Sequence, residues 1–194
     1  MELFQLTVQG DFSGQCCQGM TVEEAVLRGS FVGADIRRLR LVDVLVEGAN
    51  FSGADMEEAS FSRVEFIDCR MSGALMPLAK MHDVTFMGCK LDGANFRMSE
   101  ADRIIFDHVN LDGSEFSAAH FSSARFFDCD LNQADFSQAV VKDARFHGSS
   151  LADIKGGEYL RDIVIDSAQV LPLALRVFSA LGIHVDNERD ASES

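Results

Sequence analysis

Basic residues are few in this chain of 194 residues, and long apolar runs are missing. Seventeen Lys and Arg against 31 Asp and Glu give a net charge of −14. Such acidity argues against direct binding to nucleic acid, although it leaves open a partner with a basic surface. No apolar run approaches the roughly 20 residues that a membrane helix needs, and no N-terminal targeting segment is evident. We therefore expect a cytoplasmic protein of one domain, without a membrane partner.

Catalytic and metal-binding patterns are also missing from the sequence. The histidines are scattered, and none shows a spacing typical of metal ligands; they lie at positions 82, 108, 120, 147 and 184. No grouping of serine, histidine and aspartate is suggested, and no glycine-rich segment resembles a phosphate or calcium loop. We expect a protein that is not an enzyme and that has no catalytic, cofactor-binding or metal-binding residues.

A large apolar side chain recurs at every fifth residue from Val26 to Leu151, and only Ala101 in this series is not large. The position two residues earlier in each unit is occupied mostly by Ala, Cys, Ser or Val. A period of five belongs neither to a helix nor to a flat strand. It predicts a chain that turns a corner every five residues and points one large side chain inward on each side.

A second period of twenty residues groups four units into one coil. The segment 31–36 recurs in related form at 51–56, 71–76, 91–96, 111–116 and 131–136. One inward column predicts a ladder of stacked rings at Phe66, Phe86, Phe106, Phe126 and Phe146. A corner column of glycines from Gly33 to Gly113 suits turns with positive φ. Coils stacked about 4.8 Å apart would form a regular rod without the concave apolar pocket that a small-molecule substrate needs.

Each unit runs from a small residue through Asp or Asn to a large residue, as in Ala49-Asn50-Phe51 and Ala134-Asp135-Phe136. This unit closely resembles that of the pentapeptide repeat family, over at least residues 24–153. The resemblance implies an all-β fold, a right-handed quadrilateral β-helix, with a short C-terminal helix for capping and dimerisation. We expect an N-terminal cap or irregular first coil at 1–25, the β-helix at 26–166, the C-terminal helix and a short extension at 167–185, and a disordered acidic tail at 186–194.

Two groups of residues need an interpretation within this repeat. Cys69, Cys89 and Cys129 occupy the small inward position, which predicts buried reduced thiols, because parallel stacked side chains have poor geometry for a disulfide; the Cys16-Cys17 pair has no assigned role. Pro77 and Ala101 are irregular mid-rod positions. They indicate either a local structural adjustment or a bend or protruding loop that is used for binding.

The sequence after Leu151 predicts a capped end. The repeat breaks at 155–157 and resumes one residue out of step at Leu160 and Ile165. Ser167 is the expected N-cap of a helix that ends at Gly182. This helix is apolar nearly all round, so one face caps the last coil and a second is left exposed. As in pentapeptide repeat proteins of the quinolone-resistance type, which the chain resembles here, we predict a homodimer. Its expected interface residues are Leu171, Leu173, Leu175, Val177, Phe178 and Leu181.

Two functions remain open at this point. Resemblance to the quinolone-resistance type in unit, length and C-terminal helix implies a DNA mimic. Such a rod would bind the basic DNA-gripping surface of DNA gyrase, and modulate the enzyme or protect it from quinolones. The carboxylates expected to contact that partner are Asp35, Asp55, Glu57, Glu58, Glu115 and Asp135. The alternative is a generic protein-interaction scaffold, which an outward apolar strip favours: Leu45, Ile67, Met87, Ile105 and Phe127.

Overall fold

In the computed structural model, which describes residues 6–183, the chain forms a parallel β-solenoid of about seven turns and a short C-terminal helix. All strand pairs in its single sheet are parallel. The strands are β1 (Leu6–Asp11), β2 (Thr21–Ser30), β3 (Arg40–Glu47), β4 (Ser60–Ile67), β5 (Lys80–Met87), β6 (Glu100–Asp107), β7 (His120–Ser122), β8 (Arg125–Phe127) and β9 (Val140–Lys142). The predicted β-solenoid is confirmed, whereas the predicted tail at 186–194 lies outside the described residues.

Successive coils stack with an offset of twenty residues, which gives the rod four walls. Strand pairing places Arg40 beside Ser60, and Ser60 beside Lys80. We name each wall by its outward positions, which recur every twenty residues. Wall A has positions 50, 52 and 53, wall B has 55, 57 and 58, wall C has 60, 62 and 63, and wall D has 65, 67 and 68. Strands from β3 to β9 form walls C and D, whereas single parallel bridges such as Asp55 to Leu75 connect the coils on walls A and B.

The interior is filled by inward side chains that stack from coil to coil. The residues of the five-residue series from Phe31 to Leu151 are all buried. The predicted ladder from Phe66 to Phe146 is confirmed, with successive ring centroids 4.7, 5.1, 5.0 and 4.6 Å apart. Two further stacks were not predicted: Phe12, Phe31 and Phe51, and Phe96, Phe116 and Phe136. Rings of neighbouring columns meet edge to face, a favoured aromatic geometry.

The first coils correct the predicted phase by one residue. Ala25 and Leu27 are buried whereas Val26 is only half-buried, so the prediction that Val26 points inward is wrong. β2 pairs with β3 at an offset of nineteen residues, with Leu27 beside Val46. The corner before Phe31 is therefore one residue short. It contains Gly29, whose φ is 120° and where a Cβ would lie 2.1 Å from the Gly10 carbonyl oxygen.

Corner geometry depends on position more than on residue type. The glycine corners on wall A have φ from 61° to 64°, as predicted for Gly33 to Gly113. On wall B the corresponding corner residues are not glycine, yet Leu78 and Met98 have φ of 60° and 53°. Such left-handed backbone costs a side-chain-bearing residue on the order of 1 kcal/mol. The inter-coil hydrogen bonds fix these corners against that cost.

The three inward cysteines are buried and unbonded to one another, which confirms reduced thiols at the small positions. Desolvation raises the pKa of the Cys129 thiol to about 11. A hydrogen bond with the Cys89 thiol, and then burial, raises the pKa of Cys69. Since the thiolate is the reactive form of cysteine, Cys69 and Cys129 behave as small apolar groups in the core.

The C-terminal end is capped by a helix, as expected. Val164 stacks beneath Arg145 at an offset of nineteen, which confirms the predicted step out of phase. Two short 3-10 helices (Gly157–Tyr159 and Ser167–Gln169) lead into α1 (Val170–Ala180). Within residues 6–183, no helix is long and apolar enough to cross a membrane.

The predicted N-cap at Ser167 is wrong, because Asp166 holds that position. The Asp166 backbone N–H donates to the Gln169 side-chain oxygen at 2.7 Å. The Gln169 amide group in turn donates to the carbonyl oxygens of Phe146 and of Ser149, the latter at 2.6 Å. Gln169 thereby donates hydrogen bonds to carbonyl groups at the end of the last coil, where there is no further coil to donate to them.

The inward and outward assignment is tested by two adjacent residues of β5. Phe86 is fully buried in the ring ladder, whereas the Met87 side chain on wall D is 43% exposed. We expect Phe86→Asp to destabilise the fold by several kcal/mol, because it buries an unpaired charge. Met87→Asp is the matched control and should change stability by less than about 1 kcal/mol. Thermal and urea unfolding measure both, and equal losses would contradict the assignment.

Candidate interaction surfaces

The carboxylates predicted to bind a partner all lie on wall B, where they form two groups. Parallel bridges define one column, which reads Asp35, Asp55, Leu75, Asn95, Glu115 and Asp135 from coil to coil. Glu57 and Glu58 belong to the coil of Asp55. The acidic groups are thus separated by two coils without a carboxylate on wall B, and they do not make a continuous row.

Arginines neutralise part of the first acidic group. Arg37 donates to both oxygens of Asp35, at 2.9 and 2.8 Å, and its Nε lies 3.7 Å from an oxygen of Asp55. Hydrogen bonds from Arg37, and then from Gln18, hold the pKa of Asp35 well below its ordinary value. In the second group, Glu115 lies 3.8 Å from Arg97. These exposed pairs reduce the negative field of both acidic groups on wall B, most strongly at the N-terminal end, where Arg37 contacts two carboxylates.

Three further carboxylates on wall A extend the second acidic group. Asp92, Asp112 and Asp130 occupy outward positions of successive coils beside Glu115 and Asp135 of wall B. Between residues 6 and 183, Asp92, Asp112, Asp130 and Asp135 form no ion pair within 4.0 Å. Sequence reasoning missed this cluster although the twenty-residue spacing of Asp92 and Asp112 was a visible signal. A group of carboxylates without ion-pair partners therefore lies in the C-terminal half of the rod.

Between the two acidic groups, wall B carries an exposed apolar patch. Leu75, Leu78 and Met98 are 40%, 42% and 48% exposed, and Pro77 lies between the two leucines. The coils stay in register here, since Glu58 N–H donates to the Pro77 carbonyl at 3.0 Å. Pro77 thus produces neither a bend nor a protruding loop.

Wall D carries the predicted apolar strip in a weaker form. Met87 is 43% exposed, whereas the other four members are half-buried against neighbouring coils. Asp107 interrupts the column that contains Ile67, Met87 and Phe127. This strip therefore presents less continuous apolar surface than its sequence indicates.

Wall C carries a ladder of ion pairs along its corner positions. Arg63 pairs with Asp43 through two contacts of 2.5 and 2.6 Å, and Arg103 pairs with Asp83 at 2.5 and 2.9 Å. Hydrogen bonds from these guanidinium groups lower the pKa of both aspartates. Each of these two pairs joins two adjacent coils at the surface and neutralises the charges of its own two residues.

The expectation of a rod without a concavity does not hold on wall C, where a shallow groove of about 600 Å³ crosses several coils. Its floor includes Met81, Ala101 and Phe121, and its rims are the outward residues on either side of them. Ala101 is in register with both neighbours and is 6% exposed, so the short side chain does not distort the coil.

Polar groups in this groove do not form a nucleophilic triad. Ser122 donates to one Asp102 oxygen at 2.9 Å, and His82 Nδ1 lies 3.3 Å from the other. The carboxylate is therefore the central group, whereas activation of serine needs the imidazole in the centre. Arg103 also donates to Asp102 at 2.6 Å. The arrangement is a surface hydrogen-bond network.

One exposed cluster on wall D has metal-ligating groups close together. Asp107, His108 and Asp128 place donor atoms within 4.8 Å of one another. His108 Nδ1 lies 2.6 Å from Asp107, and Nε2 lies 3.9 Å from Asp128. Sequence spacing did not predict this grouping, because Asp128 lies twenty residues after His108 and meets it only through the stacking of coils. The His108 side chain is 71% exposed, and its two ring nitrogens already contact the two carboxylates.

The C-terminal helix α1 has one covered and one exposed apolar face. Leu173 and Val177 lie against the last coil near Gly157. Leu171, Leu175, Phe178 and Leu181 are 68%, 52%, 40% and 62% exposed. Of the six predicted interface residues, these four present an apolar surface to solvent, as the sequence pattern indicated.

Comparisons with known proteins identify the repeat. Residues 79–155 match the profile described as pentapeptide repeat region, and residues 40–76 match that described as pentapeptide repeats. Together the two matches span more than half of the chain. A search of curated proteins gave no match.

Several solved structures are similar to this chain at low identity. QnrB1, a plasmid-mediated fluoroquinolone resistance protein, is 16% identical with a TM-score of 0.45, over 91% of this chain and 100% of QnrB1. HetL, a pentapeptide repeat protein involved in heterocyst differentiation regulation in Nostoc sp. strain PCC 7120, is 18% identical with a TM-score of 0.27, over 80% and 90%. Rfr23, a pentapeptide repeat protein from Cyanothece 51142, is 15% identical with a TM-score of 0.29, over 78% and 91%.

Proposed function

The chain belongs to the pentapeptide repeat family, and from that premise we propose that it is a non-catalytic interaction scaffold that works as a homodimer. The observation that carries this proposal is the exposed apolar surface held on a rigid wall, at Leu75, Leu78 and Met98. The other outward positions of wall B in the regular coils are polar except for Pro77 and Ala118, so the solenoid itself does not require large apolar groups there. A contiguous apolar patch on a soluble surface is typical of a protein-binding site.

A partner bound through this patch is tested by affinity capture with paired variants. Immobilised wild-type protein should capture a partner from host extract, and Leu78→Glu should lose it because a charge enters the apolar contact. Val140→Glu is the matched control, since Val140 is 43% exposed but lies on wall C. Quantitative mass spectrometry reads out both variants. A partner retained equally by both would contradict binding through this patch, and the absence of any captured partner would contradict the scaffold function.

The homodimer is proposed on the exposed face of α1. Leu171, Leu175 and Phe178 are apolar, adjacent along one side of the helix, and left uncovered by the last coil. A two-fold contact places the same patch of both copies against itself, so one apolar helix face is sufficient for both subunits. The opposite face, with Leu173 and Val177, already caps the rod.

Charge in this helix face should dissociate the dimer. We expect the double variant Leu171→Glu, Leu175→Glu to sediment as a monomer at micromolar concentration while its unfolding temperature changes little, because both side chains are exposed in one copy. The wild type and the Val140→Glu control should sediment as dimers. A monomeric wild type in sedimentation equilibrium at these concentrations would remove the proposed dimer.

DNA mimicry towards gyrase is the second candidate, and the unpaired carboxylates favour it. Asp92, Asp112, Asp130 and Asp135 lie in the half of the rod that ends at α1, where a dimer would bring two such sets towards each other. Carboxylates repeated about every 4.8 Å along a rod would oppose Lys and Arg side chains that normally contact phosphates. The resemblance of the repeat and of the C-terminal helix to quinolone-resistance proteins supports this candidate.

Gyrase supercoiling measured with added protein tests the mimicry. Inhibition should weaken as salt rises, because screening reduces contacts between exposed charges. The double variant Asp112→Lys, Asp130→Lys should lose inhibition, whereas Glu65→Lys, Glu100→Lys makes the same change of net charge on walls C and D and should keep it. Equal inhibition by the two variants, or no inhibition by the wild type at tens of micromolar, would refute mimicry.

A further inference from the structure

The apolar patch on wall B is rigid, and the fold does not account for its composition. Leu78 and Met98 occupy corners where the backbone N–H groups donate to the next coil, at 3.0 and 3.1 Å. The same corner accepts Arg38, Glu58 and Gln138 in other coils, with φ between 58° and 61°. An exposed leucine or methionine at this corner therefore has no role in forming the turn. Its side chain is positioned for contact with another molecule.

Carboxylates lie at both axial ends of this patch. Glu57 and Glu58 precede it by one coil, and Glu115 and Asp135 follow it, as the inter-coil hydrogen bonds and bridges show. Within residues 6–183, Glu57, Glu58 and Asp135 form no ion pair within 4.0 Å, whereas Glu115 lies 3.8 Å from Arg97, an exposed pair of little energetic weight. A complementary ligand would have an apolar centre and cationic groups at both ends. This arrangement of charges excludes nucleic acid as the ligand, because nucleic acid is anionic along its whole length.

The dimensions of wall B favour a helix as the ligand. From the coil of Glu58 to that of Glu115 is three coil spacings, about 14 Å. An α-helix covers that distance in about ten residues, and its diameter of about 10 Å matches a wall that is three outward residues wide. Residues at i, i+4, i+7 and i+11 lie along one helix face. Strand addition is disfavoured, because the backbone groups of the wall already bond between coils.

We propose that wall B is a docking site for an amphipathic helix of a partner protein, with basic residues at both ends of its apolar stripe. The helix lies along the rod, its apolar side chains contact Leu75, Leu78 and Met98, and its basic ends contact Glu58 and Glu115. This proposal rests on the scaffold function and specifies its partner chemistry. The exposed face of α1 does not supply this ligand, since its Arg176 donates to Asp153 of the same chain.

A labelled synthetic peptide tests the docking site directly. The probe is an alanine-rich helical peptide with Lys at i and i+11 and Leu at i+4 and i+7, and its binding to the full-length protein is measured by fluorescence anisotropy. We expect Leu78→Glu and Glu58→Lys each to weaken binding by about tenfold or more. Val140→Glu and Glu100→Lys make the same changes on wall C and should leave the Kd unchanged. A peptide with Glu in place of both Lys residues should bind at least about tenfold more weakly.

The outcomes separate this proposal from the scaffold function. No binding of the Lys peptide at about 100 micromolar, or equal Kd values for the wall B and wall C variants, would overturn the docking site. If the peptide does not bind but a partner from host extract is still captured by the Leu78→Glu variant, the protein is a scaffold whose partner binds another wall. Self-association lost on Leu78→Glu, measured by sedimentation without peptide, would assign wall B to a second copy and also overturn the proposal.

Discussion

Backbone hydrogen bonds between successive coils are the constraint from which the rest of this structure follows. Asp55 N–H donates to the Ala34 carbonyl at 2.8 Å, and Phe51 N–H donates to the Arg70 carbonyl at 2.6 Å, so each coil is bonded to both neighbours. Because the regular offset is twenty residues, every side chain stacks on another from the same position of the coil. Ring ladders, left-handed corners and wall columns are consequences of this one register.

The interior was predicted well from the sequence, because every coil requires a side chain of similar size at the same inward position. The prediction failed in the first coil, where Val26 and Leu27 are both apolar and either could fill the column. The corner there is one residue short, and the pattern of apolar residues does not reveal this. The short corner brings the backbone close to Gly10, which is why a glycine is found at position 29. Asp166 and Ser167 are likewise both good N-caps. Gln169 three residues after Asp166 was the capping-box signal that distinguishes them.

Surface chemistry was harder to predict than the core. The five-residue period placed the carboxylates that were predicted to bind a partner on wall B, but it did not show which of them an arginine neutralises. That depends on side-chain contacts, such as those of Arg37 with Asp35 and of Arg63 with Asp43. The unpaired acids of the C-terminal half emerge only when residues twenty apart are compared along a wall, whereas the apolar residues beside Pro77 are visible in the sequence itself. A repeat protein of this kind is therefore best interpreted column by column.

Removal of one whole coil tests the central claim of a twenty-residue register most directly. Deletion of residues 81–100 joins Lys80 to Ala101 and keeps all inward columns in phase. Deletion of residues 81–98 is shorter, but it moves every later side chain two positions out of phase. The register predicts cooperative thermal unfolding and β-rich circular dichroism for the first deletion and loss of both for the second. Cooperative unfolding of the two deletions at the same temperature would contradict it.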